Sequence, residues 1–163
     1  MSNCKPASAP LLPNEHFSIA TDEEVSSFNA LGISYCSAIG SINYLSTAAW
    51  PDLSFAVSSL LQFLERPGLL HWKAFLHVLQ YLWGTPGLGL VYSRGNDSGV
   101  SAYSSADWGN CRSTHSSTTG YLVLLNNFIT TWKARKKPSV SLSTAKAEYK
   151  SLCDLASELV WLQ

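Results

Sequence analysis

The chain has 163 residues, 46% of them apolar and 12% aromatic, which suffices for the core of one ordinary domain or two small ones and excludes a largely disordered polypeptide. Lysine plus arginine and aspartate plus glutamate number 11 each, the formal charge is zero, and only 13% of residues are charged. That balance excludes a global basic field for holding nucleic acid, leaves room only for local stripes, and predicts a surface that resists association poorly.

The stretch "KPASAPLLPNEHFSIATDEEVSSF" near the start is proline-rich, and residues 1–34 read as an extended lead-in. It has no basic region followed by an apolar core, and no apolar run approaches the ~20 residues of a membrane span, so a soluble intracellular protein of cytoplasm or nucleus is expected. From Tyr35 the pattern turns helical, with Ile39, Ile42 and Leu45 at three-residue spacing on one face. Pro51 suits a first helical turn, Asp52 its positive end, and Leu53, Val57, Leu60, Leu61 and Leu64 form the stripe of a second helix that "ERPG" stops. A third helix fits residues 70–83, lined by Trp72, Phe75, Leu76, Leu79, Leu82 and Trp83, with Gly84 as its stop. His71 and His77 have no cysteine or acid at ligand spacing and read as surface or core-edge histidines. Residues 35–94 thus form a helical unit.

After "TPGLG" the period changes to two. "LVYS" (90–93), "GVSAYSS" (99–105), "TGYLVLL" (119–125) and "FITTWKA" (128–134) read as strands of an antiparallel meander, with Asn126-Asn127 as the tight turn between the last two. A helix then runs from Ser143 or Thr144 to the end, giving residues 95–163 an α+β character. Cys4, Cys36, Cys111 and Cys153 lack zinc-site or disulfide spacing and read as free buried thiols in a reducing compartment.

At ~100° per residue, Leu152, Leu155, Leu159 and Leu162 point within about 40° of one direction, and Glu148 shares it. A carboxylate on an apolar stripe needs a cause, because burying it unpaired costs several kcal/mol. One cause is the helix dipole, which favours glutamate in the first turn at the core's rim. The other is a divalent ion shared with a strand aspartate. The basic cluster "WKARKKP" (132–138) is equally open: a solvated strand end, or a weak, salt-sensitive grip on a phosphate backbone through Lys133, Arg135, Lys136 and Lys137.

The segments "YCSAIGSINYLSTAAWPDLSFAVSSLLQFLERPGLLHWKAFLHVLQYLWGTPGLGLVYS" and "SADWGNC…STTGYLVLLNNFITTWKARKKPSVSLSTAKAEYKSLCDLASELVWL" resemble, in order and over nearly the whole chain, the polyprotein of copia-type retrotransposons. The resemblance implies a reverse-transcriptase thumb or connection region for the helices, followed by the first strands and first helix of a ribonuclease H fold. In that family two magnesium ions, held by a set of carboxylates, activate the water that cleaves the RNA strand of an RNA–DNA hybrid. The first carboxylate falls on Ser105 and the second on Glu148, and the later ones fall beyond Gln163.

Serine offers one neutral oxygen in place of two charged ones, so Ser105 does not hold such a metal pair. Asp107 shares its strand parity but lies about 6.8 Å along, too far for a faithful substitute. The resemblance therefore implies an inactive remnant with Glu148 vestigial, Asp107 at best a weak metal candidate, and no functional cofactor. The alternatives are a retained module that binds nucleic acid or protein, and a nuclease completed by acids from a partner. Lys146, where the family commonly has glutamate, forfeits a capping box from Ser143. Cys36, Trp50 and His115 stand where the family pattern has arginine, each one transition from a CGN codon, as expected of a silenced element drifting by deamination. Trp83 replaces a lysine. An unpaired first strand and a leucine-rich helix face are expected to drive self-association.

Overall fold

The structure is a computed structural model that describes residues 5–13, 15–93, 99–109 and 114–162, so Cys4 and Cys111 lie outside the described residues. It divides into two units, Met1–Gly89 and Leu90–Gln163.

In the first unit, Thr21 and Glu24 close a capping box: the Thr21 hydroxyl accepts from the Glu24 N–H, and the Glu24 carboxylate accepts from the Thr21 N–H at 2.9 Å. They start helix α1, Asp22–Asn29, whose Phe28 is 1% exposed. The lead-in is thus not merely extended. Its Ala7, Leu11 and Phe17 pack against the helical core, and a Cβ at Gly84 would meet the Pro6 Cβ at 2.6 Å. Proline density obscures this in the sequence, although "TDEE" carries the capping signal.

Helix α2, Tyr35–Ala48, starts at the N-cap Ser34 and buries Ile39 and Ile42 of the expected face, with Leu45 half-buried beside them and Tyr35 buried as well. Pro51–Leu53 form a 3₁₀ turn leading into α3, Ser54–Leu61, which buries Ala56, Val57 and Leu60 but leaves Leu64 beyond its end and exposed. Helix α4, Leu69–Gly84, presents His71, Ala74, Phe75, Val78 and Tyr81 inward, a face rotated from the expected one, and Trp83 is exposed. Trp72, Leu76, Leu79 and Leu82 of the expected stripe are half-buried against the same core, so that stripe borders the buried face and shares Phe75 with it. The Tyr81 hydroxyl donates to Asp52, which pushes the phenol up to about 12.

His71 is a core residue, not a surface or core-edge one. It stacks on Phe63 with centroids 4.1 Å apart, and its Nδ1 accepts from the Gly68 N–H at 2.9 Å. Burial holds its imidazole below the usual histidine range, against smaller opposing contributions from the Ser18 backbone and Glu24. The folded state therefore binds a proton less readily than the unfolded chain, so stability is full above the unfolded pKa of ~6.5 and falls as pH drops through it. Thermal unfolding of the helical unit is expected at lower temperature at about pH 5.5 than at about pH 7.5, with His71→Leu flattening that dependence. An unchanged midpoint in the parent chain would contradict it.

In the second unit, β1 (Val100–Asp107), β2 (Ser116–Leu125) and β3 (Phe128–Val140) form an antiparallel meander in the order β1-β2-β3. Asn126 and Asn127 have φ of 54° and 67°, the left-handed pair that a two-residue hairpin requires. Residues 90–93 are not a strand; Tyr92 instead donates its hydroxyl to the Ile129 carbonyl at 2.8 Å. Strand β3 runs on through the basic cluster and Pro138, which an edge strand tolerates. Helix α5, Thr144–Trp161, covers β1 and β2 and buries Ala147, Ser151 and Leu155. Among the described residues, no helix is long and apolar enough to cross a membrane. Cys36 and Cys153 are exposed rather than buried, because each lies on the outward side of its helix.

Ser143 caps α5 by accepting from the Lys146 N–H at 3.2 Å, and Lys146 itself is exposed. Lys146→Glu completes the capping box and suits the dipole, so it is expected to raise the unfolding free energy of this unit by about 1 kcal/mol. Urea unfolding followed by circular dichroism checks this, and a destabilised variant would contradict the cap assignment.

Candidate functional site

Register sorts the sheet residues into two faces, because directly opposed residues of antiparallel strands point the same way. Ser104 opposes Tyr121, which opposes Lys133; Ala102 opposes Val123, which opposes Thr131. This is the face under α5. Ser105 opposes Gly120, which opposes Ala134, and Asp107 opposes Thr118, which opposes Lys136. These lie on the other, open face, where Tyr103, Leu122 and Trp132 form a cross-strand row. Ser105 and Asp107 thus share a face, as their parity predicts, and both are exposed.

Glu148 is exposed as well, not on the buried stripe. The sheet receives Ala147, Ser151 and Leu155, while Leu152 and Leu162 are 53% and 40% exposed. Small side chains explain the rotation: the Ser151 hydroxyl reaches the main chain and donates to the Ser105 carbonyl at 2.8 Å and the Gly120 carbonyl at 3.2 Å. At ~100° per residue, Glu148, Leu152 and Leu159 fall on the flank of α5 away from Asp154.

The residues do not fit the magnesium pair that the resemblance implies. Ser105 brings a neutral hydroxyl, Glu148 and Asp107 are solvated carboxylates, and among the described residues no group of three or more histidine, cysteine, aspartate or glutamate side chains is placed to hold a metal.

A different polar cluster lies between α5 and β3. The Glu158 carboxylate accepts from the Tyr121 hydroxyl and the Thr131 hydroxyl, each at 2.9 Å. Burial, then Glu158, pushes the Tyr121 phenol up to about 12. Lys137, buried, pairs with Asp154. A shallow groove of about 200 Å³ is lined by Tyr121, Lys133, Arg135, Asp154, Ser157 and Glu158. The four cations of the basic cluster are therefore not one patch. Lys133 and Arg135 border the groove beside two carboxylates, Lys137 is neutralised, and Lys136 lies on the open face. The sequence did carry a signal for this cluster, Asp154 and Glu158 at i and i+4, but the leucine count pointed to another side of the helix.

Comparison with known proteins bears on the chain as a whole. It is 33% identical over 99% of its length to the retrovirus-related Pol polyprotein from transposon RE1 of Arabidopsis thaliana, and 40% identical over 78% of its length to that from transposon RE2 of the same plant. It spans 11% and 9% of those two polyproteins, about a tenth of their length. It is also 39% identical over 80% of its length to the secreted RxLR effector protein 161 of Plasmopara viticola, of which it spans 92%. No protein-family model matches the chain, and no solved structure matches it. The similarity over nearly the whole chain and the motifs around Ser105 and Glu148 agree: the chain belongs to the Pol polyprotein family of copia-type retrotransposons.

Proposed function

We propose that this chain is a retrotransposon-derived remnant whose second unit is a ribonuclease H-like scaffold without hydrolytic activity. The observation that carries the reading is Ser105, a neutral exposed hydroxyl on β1 at the position where the family resemblance puts the first metal-binding aspartate. The α+β composition, with an antiparallel meander followed by a helix, supports the ribonuclease H-like assignment. The solvated settings of Asp107 and Glu148 support the inactivity, since a two-metal site needs several carboxylates fixed around one point. The helical unit fits a reverse-transcriptase thumb or connection segment by its place in the chain. Incubation with a labelled RNA–DNA hybrid and magnesium tests the reading, and the RNA strand is expected to remain intact.

A second reading rests on Lys133 and Arg135, which are exposed and border a groove on β3. They support weak binding of nucleic acid without sequence preference, with an affinity that falls steeply with salt. The neighbouring Asp154 and Glu158 work against it, so this reading ranks second.

A further inference from the structure

We infer that His71 is the latch of a strap laid along α4: protonating its ring releases the lead-in, residues 5–13 and 15–20, while α2, α3 and α4 stay folded. The strap runs antiparallel to α4. Pro6 sits where a Cβ at Gly84 would stand, the Ala7 N–H donates to the Gln80 carbonyl at 3.4 Å, and His77 donates from Nε2 to the Ala9 carbonyl at 3.1 Å. Farther on, Phe17 meets His71 and Phe63 with ring centroids 5.9 Å and 6.1 Å away, and the Ala20 Cβ lies 2.9 Å from where a Cβ at Gly68 would stand. These residues belong to no helix or strand, so side-chain contacts hold them, and such a segment opens before a helix whose hydrogen bonds are internal.

His71 stands at the joint between strap and helix. It is the third residue of α4 after the N-cap Gly68, and its Nδ1 accepts from the Gly68 N–H at 2.9 Å, the half of a capping box that glutamate or glutamine makes elsewhere. That bond requires a bare Nδ1, so the proton of the neutral ring sits on Nε2, which is buried without a hydrogen-bond partner. A second proton enters only at Nδ1. It sets one N–H against another, breaks the bond to Gly68, and leaves a charge between Phe17 and Phe63.

The surroundings do not hold that charge. From α1, Glu24 favours it, and from the strap the Ser18 backbone does so without closing a hydrogen bond to Nε2; burial outweighs both. Glu15 and His16 of the strap, Glu65 and Arg66 after α3, and Lys73 and His77 of α4 do not act on the ring. The docked ring therefore binds a proton less readily than the released one. Docking is at full strength above the ordinary histidine pKa of ~6.5 and weakens as pH falls through it. His77 behaves differently, because its Nε2 donates whether the ring is neutral or charged, so its bond to Ala9 survives acid. The strap thus opens from the Gly68 end.

Nuclear magnetic resonance of the intact chain, titrated from about pH 7.5 to about pH 5.0, tests the latch. The Gly68 amide, the Phe17 ring and the Ala20 methyl are expected to move together to the positions of an unstructured chain, at one midpoint shared with the His71 imidazole. The methyl signals of Ile39, Val57 and Val78, in the core of α2, α3 and α4, keep their folded positions. His71→Gln supplies the Gly68 N–H with an acceptor that does not titrate, and is expected to keep the strap docked at about pH 5.0, whereas His77→Gln leaves the transition in place. Should His71→Gln lose its fold, the shared midpoint in the parent chain decides. A strap that stays docked to the end of the titration, a strap lost together with the helical core, or the same transition in His71→Gln would overturn the inference.

Discussion

Asp154→Ala is expected to destabilise the second unit by about 3 kcal/mol, one of the largest effects of a single substitution in this chain. The cause is the lysine left behind. Lys137 is 8% exposed, held against the sheet beneath α5, and Asp154 is the carboxylate that neutralises it. Removing one partner of a buried pair strands the other charge away from water, which costs more than the pair contributes. The side chain of Asp154 is itself 29% exposed, which keeps the loss at the lower end of the range for buried pairs. The double variant Lys137→Met, Asp154→Leu removes both charges and fills the space, so it is expected to recover most of the loss. Urea unfolding of the single and double variants checks both statements. A single variant within experimental error of the parent chain would show that Lys137 reaches solvent or another partner.

Phe28→Ala is expected to cost the helical unit about 3–5 kcal/mol, as for other large aromatic truncations in a filled core. Phe28 is 1% exposed and meets Tyr35 edge-on and Trp72 at a tilt, each with ring centroids 6.1 Å apart. It is the residue through which α1 joins α2 and α4. A loss of this size therefore also tests whether the segment before Tyr35 belongs to the folded unit. Tryptophan emission during denaturant unfolding is a suitable probe, since Trp72 lies beside the truncation and stacks on Phe75. A cost near that of an exposed substitution would place α1 outside the core.

These two residues also mark what can and cannot be read from the sequence. The periodicity of Ile39, Ile42 and Leu45, the Asn126-Asn127 turn and the Ser143 cap are local signals, and the local structure follows them, with Leu45 half-buried. Phe28 was hidden because prolines nearby dominate the reading of the lead-in, while the capping box of Thr21 and Glu24 needs only four residues to be seen. Asp154 was hidden for a different reason. Counting leucines assumes that the largest apolar residues face the core, yet α5 turns Ala147 and Ser151 to the sheet because small side chains permit close approach and Ser151 caps two carbonyls. Helix α4 likewise turns His71 and Ala74 inward beside Phe75, Val78 and Tyr81. Which face wins depends on the shape of the neighbouring surface, and periodicity alone carries no information about that surface.

The candidate site divides the same way. The serine at position 105 and its shared face with Asp107 follow from strand parity, whereas the solvation of Glu148 follows from helix rotation, a tertiary property. The division of the basic cluster into a neutralised Lys137, a groove-lining Lys133 and Arg135, and an opposite-facing Lys136 is likewise set by β3 pairing with β2 and by α5 above it.

Under the proposed reading, this chain does not hydrolyse the RNA strand of an RNA–DNA hybrid. The most direct measurement is cleavage of an RNA–DNA hybrid by purified chain in excess over substrate with magnesium, run beside Ser105→Asp and Glu148→Gln. The account predicts no RNA cleavage above the metal-only background by the parent chain, and no difference between it and Glu148→Gln. It also predicts that Ser105→Asp alone remains inactive, because one restored carboxylate does not assemble a two-metal site. Magnesium-dependent cleavage by the parent chain that Glu148→Gln abolishes would contradict the account.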